Sequence, residues 1–358
     1  MKTIDRVFVF LLFSIITVGA MMIFSSTPTL GLRLGDPFFY IMRHVFYLIL
    51  GTLAFGLALR IDLDELRKYS FHFFVIAFIL MLLLFVPGIR MKVAGATRWV
   101  QLPFITFQPS EIMKLALIIF LANYFARKKE LIADFKKGLL MPLSLLAIIG
   151  AMTMLQPDMG TTLVICGIVF IMCFAAGAQI KHLGAVLMTG VIAGAALIVV
   201  EPYRFRRILA YLKPWENAKD IGFHIVQSLI AVGSGGIWGV GLGGSKQKFF
   251  YLPQQYTDFI FAIICEELGL IGSCAVIVLI IAFVGRGLGV ALKTKDPFQA
   301  YIVVGIMSWI GIQAMLNILV VIGVLPTTGI PLPYISYGGT STIFLMFAAG
   351  IVARISRE

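Results

Sequence analysis

The sequence predicts an all-α integral membrane protein of about ten transmembrane helices, and three observations predict it. Apolar residues make up 60% of the 358-residue chain, only 13% are charged, and the mean hydropathy is +1.00, too little polarity to clothe a soluble core. Long apolar runs recur along the whole chain, several near the length that crosses about 30 Å of hydrocarbon at about 1.5 Å per residue. The basic residues are distributed so as to assign a direction to every crossing.

The runs fall, in order, at Val7 to Phe24, Val45 to Leu59, Phe71 to Pro87, Ile112 to Phe125, Leu139 to Leu155, Thr161 to Ala176, Leu183 to Val200, Phe259 to Val284, Phe298 to Ile322 and Ile343 to Val352. The first follows Lys2 and Arg6, as in a signal peptide, but lacks a small-x-small cleavage site and reads as a retained helix. Sixteen of the 29 basic residues lie on connections that are inner if the N-terminus is inside. The rule that positive loops stay inside therefore places both termini in the cytoplasm. No hydrophilic stretch is long enough to fold alone, so residues 1–358 read as a single polytopic membrane domain with a large extracytoplasmic loop, 201–257, between spans 7 and 8. In that loop Gly222 to Trp238 reads as an amphipathic or re-entrant helix, and Gly239, Gly241, Gly243 and Gly244 as a flexible turn. No strand precedes these glycines, and their spacing is not that of a dinucleotide-binding turn. Cys166, Cys173, Cys265 and Cys274 lie inside apolar runs and read as core packing. There is no Gly-x4-Gly-Lys-Ser/Thr loop and no His-Glu-x2-His, so P-loop hydrolysis and zincin chemistry are not expected.

Two outer segments carry cations that topology does not ask for: Arg90, Lys92, Arg98 and Lys114, then Arg204, Arg206, Arg207, Lys213, Lys219, Lys246 and Lys248. Contact with headgroup phosphates accounts for them as well as a binding site for an anionic, phosphorylated ligand does. Ionisable residues within or at the ends of spans are functional candidates. Asp258 stands where the large loop enters the eighth span; complementing the helix dipole is the commoner role for such an acid, and general base catalysis the sharper one. Glu266 and Glu267 lie two turns deeper, about 80° and 180° round a helix from Asp258, so at most one of them shares a cavity with it. Pairing with basic groups or polar backbone is the expected role of both. Gln108-Pro109-Ser110-Glu111 opens the fourth span, and Lys114 follows Glu111 on the same face. A structural ion pair and a substrate-facing pair beside Arg98 and Trp99 are both open. Asp158 reads as the cap of the sixth span, and Pro331 to Ser341 as a re-entrant segment lining a cavity.

Six segments together resemble the SEDS family, whose members include FtsW, RodA and SpoVE: Gly95-Ala-Thr-Arg98-Trp99, Phe107-Gln-Pro-Ser-Glu111-x2-Lys114, Gln156-Pro-Asp158-x-Gly160-Thr, Val226-Gln227-Ser228, Leu252-Pro253-x3-Thr257-Asp258-Phe-Ile-Phe and Leu332-Pro-x-Ile-Ser336-Tyr-Gly-Gly. They keep the family's order across essentially the whole chain. The resemblance implies ten spans and an inverting peptidoglycan glycosyltransferase that joins lipid II units, releases undecaprenyl pyrophosphate and works on the extracytoplasmic side of a bacterial inner membrane. It also implies that Asp258 is the general base toward the acceptor 4-hydroxyl. Arg98, Trp99, Glu111, Lys114, Asp158, Gln227 and Ser336 are then expected around the substrate, with Arg206 and Arg207 holding the pyrophosphate. Lipid II, membrane lipids and a class B penicillin-binding protein are the expected partners; nucleic acid is not. No tightly bound cofactor is expected, and Mg²⁺ or Mn²⁺ would be held jointly by a carboxylate and substrate phosphates. Tyr256 stands where the family usually has His, Lys213 where an acid is common and Thr97 where a lysine is common. The run from Ser245 to Pro253 is more similar to FtsW than to RodA, which points to the division branch. A lipid II flippase needs polar groups through the full membrane thickness, whereas the cytoplasmic halves of most spans here are apolar; a scaffold for a transpeptidase needs no chemistry of its own.

Overall fold

The computed structural model describes residues 3–86, 90–93, 96–101, 106–200, 211–218, 222–248 and 255–357. Ten long helices coincide with the ten apolar runs: α1 (Arg6–Ser26), α3 (Phe39–Ala58), α5 (Ser70–Leu82), α6 (Pro109–Arg127), α7 (Leu140–Leu155), α8 (Met159–Ala175), α9 (Ile180–Val200), α11 (Ile260–Lys293), α12 (Pro297–Val321) and α13 (Thr340–Ile355). The short α2 (Pro28–Leu32), α4 (Leu63–Lys68) and α10 (Phe223–Ser234) lie between them. Among the described residues six helices are long and apolar enough to cross a bilayer, α7 counted with the turn that leads into it from Phe135, and α5, α8, α9 and α13 are apolar helices that fall short of that standard. The chain is a multi-pass membrane protein. Ile281, 64% exposed, and Phe10, 70% exposed, are lipid-facing rather than misplaced.

At the centre α12 packs on α6, α8, α11 and α13, while α3 packs on α13, α1 on α11, α5 on α6 and α7 on α8. The outer connection between α5 and α6 is not helical. It forms a three-stranded antiparallel sheet, β1 (Arg90–Val93), β2 (Ala96–Gln101) and β3 (Thr106–Phe107), with Arg90 opposite Val100 and Val100 opposite Phe107. The membrane-embedded body is all-α, as expected, and this small sheet is added to it outside the spans. The apolar-run criterion detects segments that satisfy their backbone internally in hydrocarbon; outside it, a β-rich stretch such as Thr97, Trp99 and Val100 is free to pair across a hairpin.

The glycine-rich run is a fixed part rather than a flexible turn. Helix α11 is broken at Gly269, whose φ of 64° and ψ of −166° interrupt the hydrogen-bond ladder. The freed groups are satisfied by the segment after α10: Val240 and Gly241 donate to the Glu266 and Glu267 carbonyls at 3.0 and 3.1 Å, and Leu270 donates to Gly236 at 2.9 Å. An added Cβ at Gly235, Gly239 or Gly269 would overlap the opposing backbone. Glycine is therefore required here by close approach, and at Gly239 and Gly269 also by positive φ.

The same junction receives Glu266 and Glu267. Glu266 accepts from Ser245 Oγ and from Lys246 N at 2.9 Å. Glu267 accepts from Ser25 Oγ at 2.7 Å and pairs with Lys248 Nζ at 3.5 Å. Both carboxylates thus tie the outer loop to the end of α1, as their polar-partner reading anticipated. Cys166, Cys173 and Cys265 are wholly or largely buried, but Cys274 is exposed on the lipid side and is not core packing.

Gly239→Ala and Gly285→Ala should act in opposite directions. At Gly239 the methyl meets backbone at φ +81°, whereas at Gly285 it meets nothing within 4 Å in a regular helix. The first should lower the apparent Tm in detergent by an amount equivalent to more than about 1 kcal/mol, and the second should leave it unchanged or raise it slightly. A fluorescence-detected thermal melt of the two variants measures this.

Candidate functional site

The four residues 255–258 are pinned from several directions just before α11 begins. Gln255 Nε2 donates to the Ser26 carbonyl at 2.9 Å and to that of Lys248 at 3.0 Å. Tyr337 N donates to Tyr256 O at 2.9 Å, Ser336 Oγ to Thr257 O at 2.6 Å and Asn317 Nδ2 to Asp258 O at 2.7 Å. Three successive carbonyls are thereby occupied by α12 and by the irregular segment leading into α13. That segment is fixed in turn: Leu332 N donates to Ser336 Oγ at 2.7 Å, and Asn317 and Gln313 donate to the carbonyls of Ile330 and Pro331.

The Asp258 side chain faces a cavity of about 380 Å³, lined among others by Arg98, Trp99, Glu111, Lys114, Tyr337 and Ser341. Arg98 Nη1 and Asp258 Oδ2 both lie within 4 Å of where a Cβ would stand on Gly329. Gly329, at φ +74°, puts no side chain against this cation and carboxylate. Loss of hydration pushes the Asp258 carboxyl up to about 6, with the Arg98 guanidinium pulling it back and the Asp158 carboxylate pushing it further up. The group is therefore mostly ionised at neutral pH yet more basic than an ordinary aspartate.

Arg98 reaches the cavity from β2, where its Nη2 donates to the Pro157 carbonyl at 2.7 Å and its Nε lies 3.5 Å from Asp158 Oδ2. Asp158 also caps α8, accepting from Thr161 N at 3.1 Å and Thr161 Oγ1 at 2.8 Å, so one carboxylate both starts a helix and orients a cation. Deeper in, Lys114 is 2% exposed and Glu111 3%, with Nζ 2.8 Å from Glu111 Oε1. Lys114 also donates to Gln313 Oε1 at 3.1 Å and lies 4.6 Å from the Trp309 ring, and Ser341 Oγ donates to Glu111 Oε2 at 3.1 Å. The pair is both structural and cavity-lining; the two readings of the sequence were not alternatives.

Arg98, Trp99, Glu111, Lys114 and Asp258 are brought together, and Asp158 stands directly behind Arg98. Ser336 is buried and does not line the cavity; it holds the Asp258 segment. Gln227 lies half-buried on α10, away from the cavity lining. Arg206 and Arg207 lie outside the described residues. Gln313 and Asn317 escaped the sequence reading, although two amides inside an apolar span carry the same signal as an intramembrane charge. Tyr256, at the position of the expected histidine, packs against Tyr40 and Tyr337. Burial pushes its hydroxyl up to about 12, with the neighbouring Tyr40 adding, so it does not replace a histidine as a proton acceptor near neutral pH. Among the described residues no three His, Cys, Asp or Glu side chains group as a metal site.

A family model described as cell cycle protein, that of FtsW, RodA and SpoVE, matches residues 5–358. Stage V sporulation protein E of Bacillus subtilis is 39% identical over 354 residues, covering 99% of this chain and 97% of the relative. A probable peptidoglycan glycosyltransferase FtsW of Geobacter metallireducens is 41% identical over 354 residues, covering 98% and 94%. Among solved structures, a chain described under structural coordination of polymerization and crosslinking by a peptidoglycan synthase complex superposes with a TM-score of 0.82 at 27% identity, covering 99% of this chain and 98% of that one. The rod shape determining protein RodA of Thermus thermophilus, at 24% identity and TM-score 0.71 over 99% and 97%, shares the fold. With a model match over nearly every residue and relatives near 40% identity end to end, the chain belongs to the FtsW, RodA and SpoVE family of cell cycle proteins.

Proposed function

We propose that this protein is an inverting peptidoglycan glycosyltransferase that polymerises lipid II on the extracytoplasmic face of a bacterial inner membrane. The observation that carries the reading is Asp258, a carboxylate of raised basicity facing Arg98 and the Lys114–Glu111 pair across one cavity. In the reaction the acceptor 4-hydroxyl oxygen attacks C1 of the donor sugar, and the bond from C1 to the pyrophosphate oxygen breaks. An α linkage becomes β, and undecaprenyl pyrophosphate leaves. Asp258 takes the hydroxyl proton as the new bond forms. Arg98 and Lys114 stabilise charge accumulating on the pyrophosphate, and the low-polarity walls strengthen that interaction. A divalent ion entering with the donor would be held between Asp258 and the phosphates.

The orientation rests on the basic inner connections, and the division role on the likeness of the outer loop to FtsW. A relative named a probable peptidoglycan glycosyltransferase and a structural neighbour described as a peptidoglycan synthase complex that coordinates polymerization and crosslinking support this reading; lipid II as the substrate and a class B penicillin-binding protein transpeptidase as the partner are what the family resemblance adds. A transport path through the membrane gains no support from Glu266 and Glu267, which turn to Ser245, Lys246, Lys248 and Ser25.

Three outcomes are expected. Purified protein, with its transpeptidase partner and lipid II, should yield glycan strands on a gel; Asp258→Ala should lower the rate by about 10²–10⁴-fold. Strands made at the wild-type rate by the variant would remove Asp258 from the mechanism. The rate should also fall on an acid limb centred near pH 6, because only the ionised carboxylate accepts the proton; a flat profile down to pH 5 would contradict the base assignment. Finally, the raised pKa means that ionising Asp258 is harder in the folded protein than in the unfolded chain, so its presence costs stability above pH 6 and nothing once both forms are protonated. Asp258→Asn should therefore raise the Tm at pH 7.5, with the gain disappearing as the pH falls below about 4.

A further inference from the structure

Next to the cavity, and sharing Tyr337 with its lining, stands an aromatic group that neither the proton transfer nor the pyrophosphate uses. Tyr40, Tyr256 and Tyr337 form a closed triangle, with ring centroids 5.1, 5.6 and 5.9 Å apart and mutual inclinations of 50°, 71° and 79°. Rings tilted so steeply meet at a corner rather than in a parallel stack, and all three are only half-buried. Tyr337 belongs to the lining that contains Asp258, and Tyr256 precedes Asp258 by two residues. Beneath the corner lies His44, 0% exposed and 5.9 Å from the Tyr337 ring, with neither ring nitrogen hydrogen-bonded. Orphaned polar atoms at such a depth call for a partner. Arg43, over the Phe39 ring at 5.2 Å, stands at the rim.

The tyrosines are not needed to join α3 to α13. That contact is made further along both helices, where Gly51 lies against Met346 and Gly350 against Phe55. A half-exposed corner of three tyrosine rings suits a ligand that is apolar on one face and polar around its circumference. A pyranose ring has that form, with axial C–H bonds on its faces and hydroxyls around its edge. The cations lie elsewhere in the cavity, at Arg98 and Lys114, where a diphosphate belongs.

Resting on the glycosyltransferase reading, we infer that Tyr40, Tyr256 and Tyr337 form a subsite that stacks a pyranose ring of the acceptor strand and so presents its hydroxyl to Asp258. Tyr40 touches neither the proton nor the leaving group; its contribution is to hold the strand between additions. Losing its flat face shortens the glycan made per encounter without disabling the chemistry.

The test compares Tyr40→Leu, which keeps apolar bulk, with Tyr40→Trp, which keeps a flat ring, in the complex with the transpeptidase partner. Tyr40→Leu should raise the KM for lipid II about threefold to tenfold, the effect of one aromatic contact, and shorten the strands on a gel, with kcat near wild type. Tyr40→Trp should restore both. In parallel, a soluble β-1,4-linked N-acetylhexosamine tetramer is added to Asp258→Ala protein in nanodiscs, and saturation transfer to its ring C–H protons is read by NMR. That transfer should be strong and should drop when Tyr40→Leu is added. Wild-type strand length and KM in Tyr40→Leu, or undiminished transfer to the tetramer, overturns the subsite. Failure of the wild-type complex to make any strand overturns the polymerase reading instead, and the tetramer measurement still decides whether the corner takes sugar.

Discussion

Everything in the site depends on where three consecutive carbonyl groups find their donors. Between residue 255 and the start of α11 the chain has no helical ladder, so in an apolar setting each carbonyl must be satisfied from outside or cost on the order of a kcal/mol or more. Tyr337, Ser336 and Asn317 meet that requirement one by one. The consequence is that Asp258 is positioned by the parts of the molecule that form the opposite wall of its cavity. Shape and chemistry are set by the same bonds: α12 supplies Asn317 to the backbone and Gln313 to Lys114, two residues about one turn apart on one helix.

The broken helix obeys the same rule. An interruption at Gly269 would be intolerable facing lipid, and it is tolerated because the segment from Gly235 to Gly241 replaces the lost partners at backbone distance. That approach brings residues 245–248 against Glu266 and Glu267, and Gln255 then reaches back to the Lys248 carbonyl. The outer loop is therefore tied to the Asp258 segment by the direct bond from Gln255 to the Lys248 carbonyl.

How far the sequence foretold this follows from what each signal measures. Hydropathy runs located all ten long helices, because a bilayer demands apolar length regardless of tertiary detail. Capping chemistry placed Asp158 at the start of α8, and spacing paired Glu111 with Lys114. The sheet carrying Arg98 was invisible, since strand pairing lies between segments and no hydropathy window reports it. The glycine run was misread as flexible because its constraint is a backbone in another helix. Ser336 was assigned to substrate because a motif names residues without saying which way they turn; its hydroxyl is used by Thr257 and Leu332. Helical geometry correctly separated Glu266 and Glu267 from Asp258, though for a stronger reason than phase, since Asp258 precedes the helix altogether.

Lys114 shows why a charged cavity can exist in such an apolar protein. A bare ammonium at that depth would cost several kcal/mol, and a neutral pair that is fully hydrogen-bonded costs far less. Glu111, Gln313 and the Trp309 face together provide that neutral setting, and Ser341 occupies the second oxygen of Glu111. The lysine can thus be stored in the membrane without a substrate. Arg98 is kept on the same terms by Asp158 and the Pro157 carbonyl. Both cations thus keep a carboxylate partner inside the protein, whereas Asp258 has no salt bridge within 4 Å among the described residues and is the cavity carboxylate that is not tied up in an ion pair.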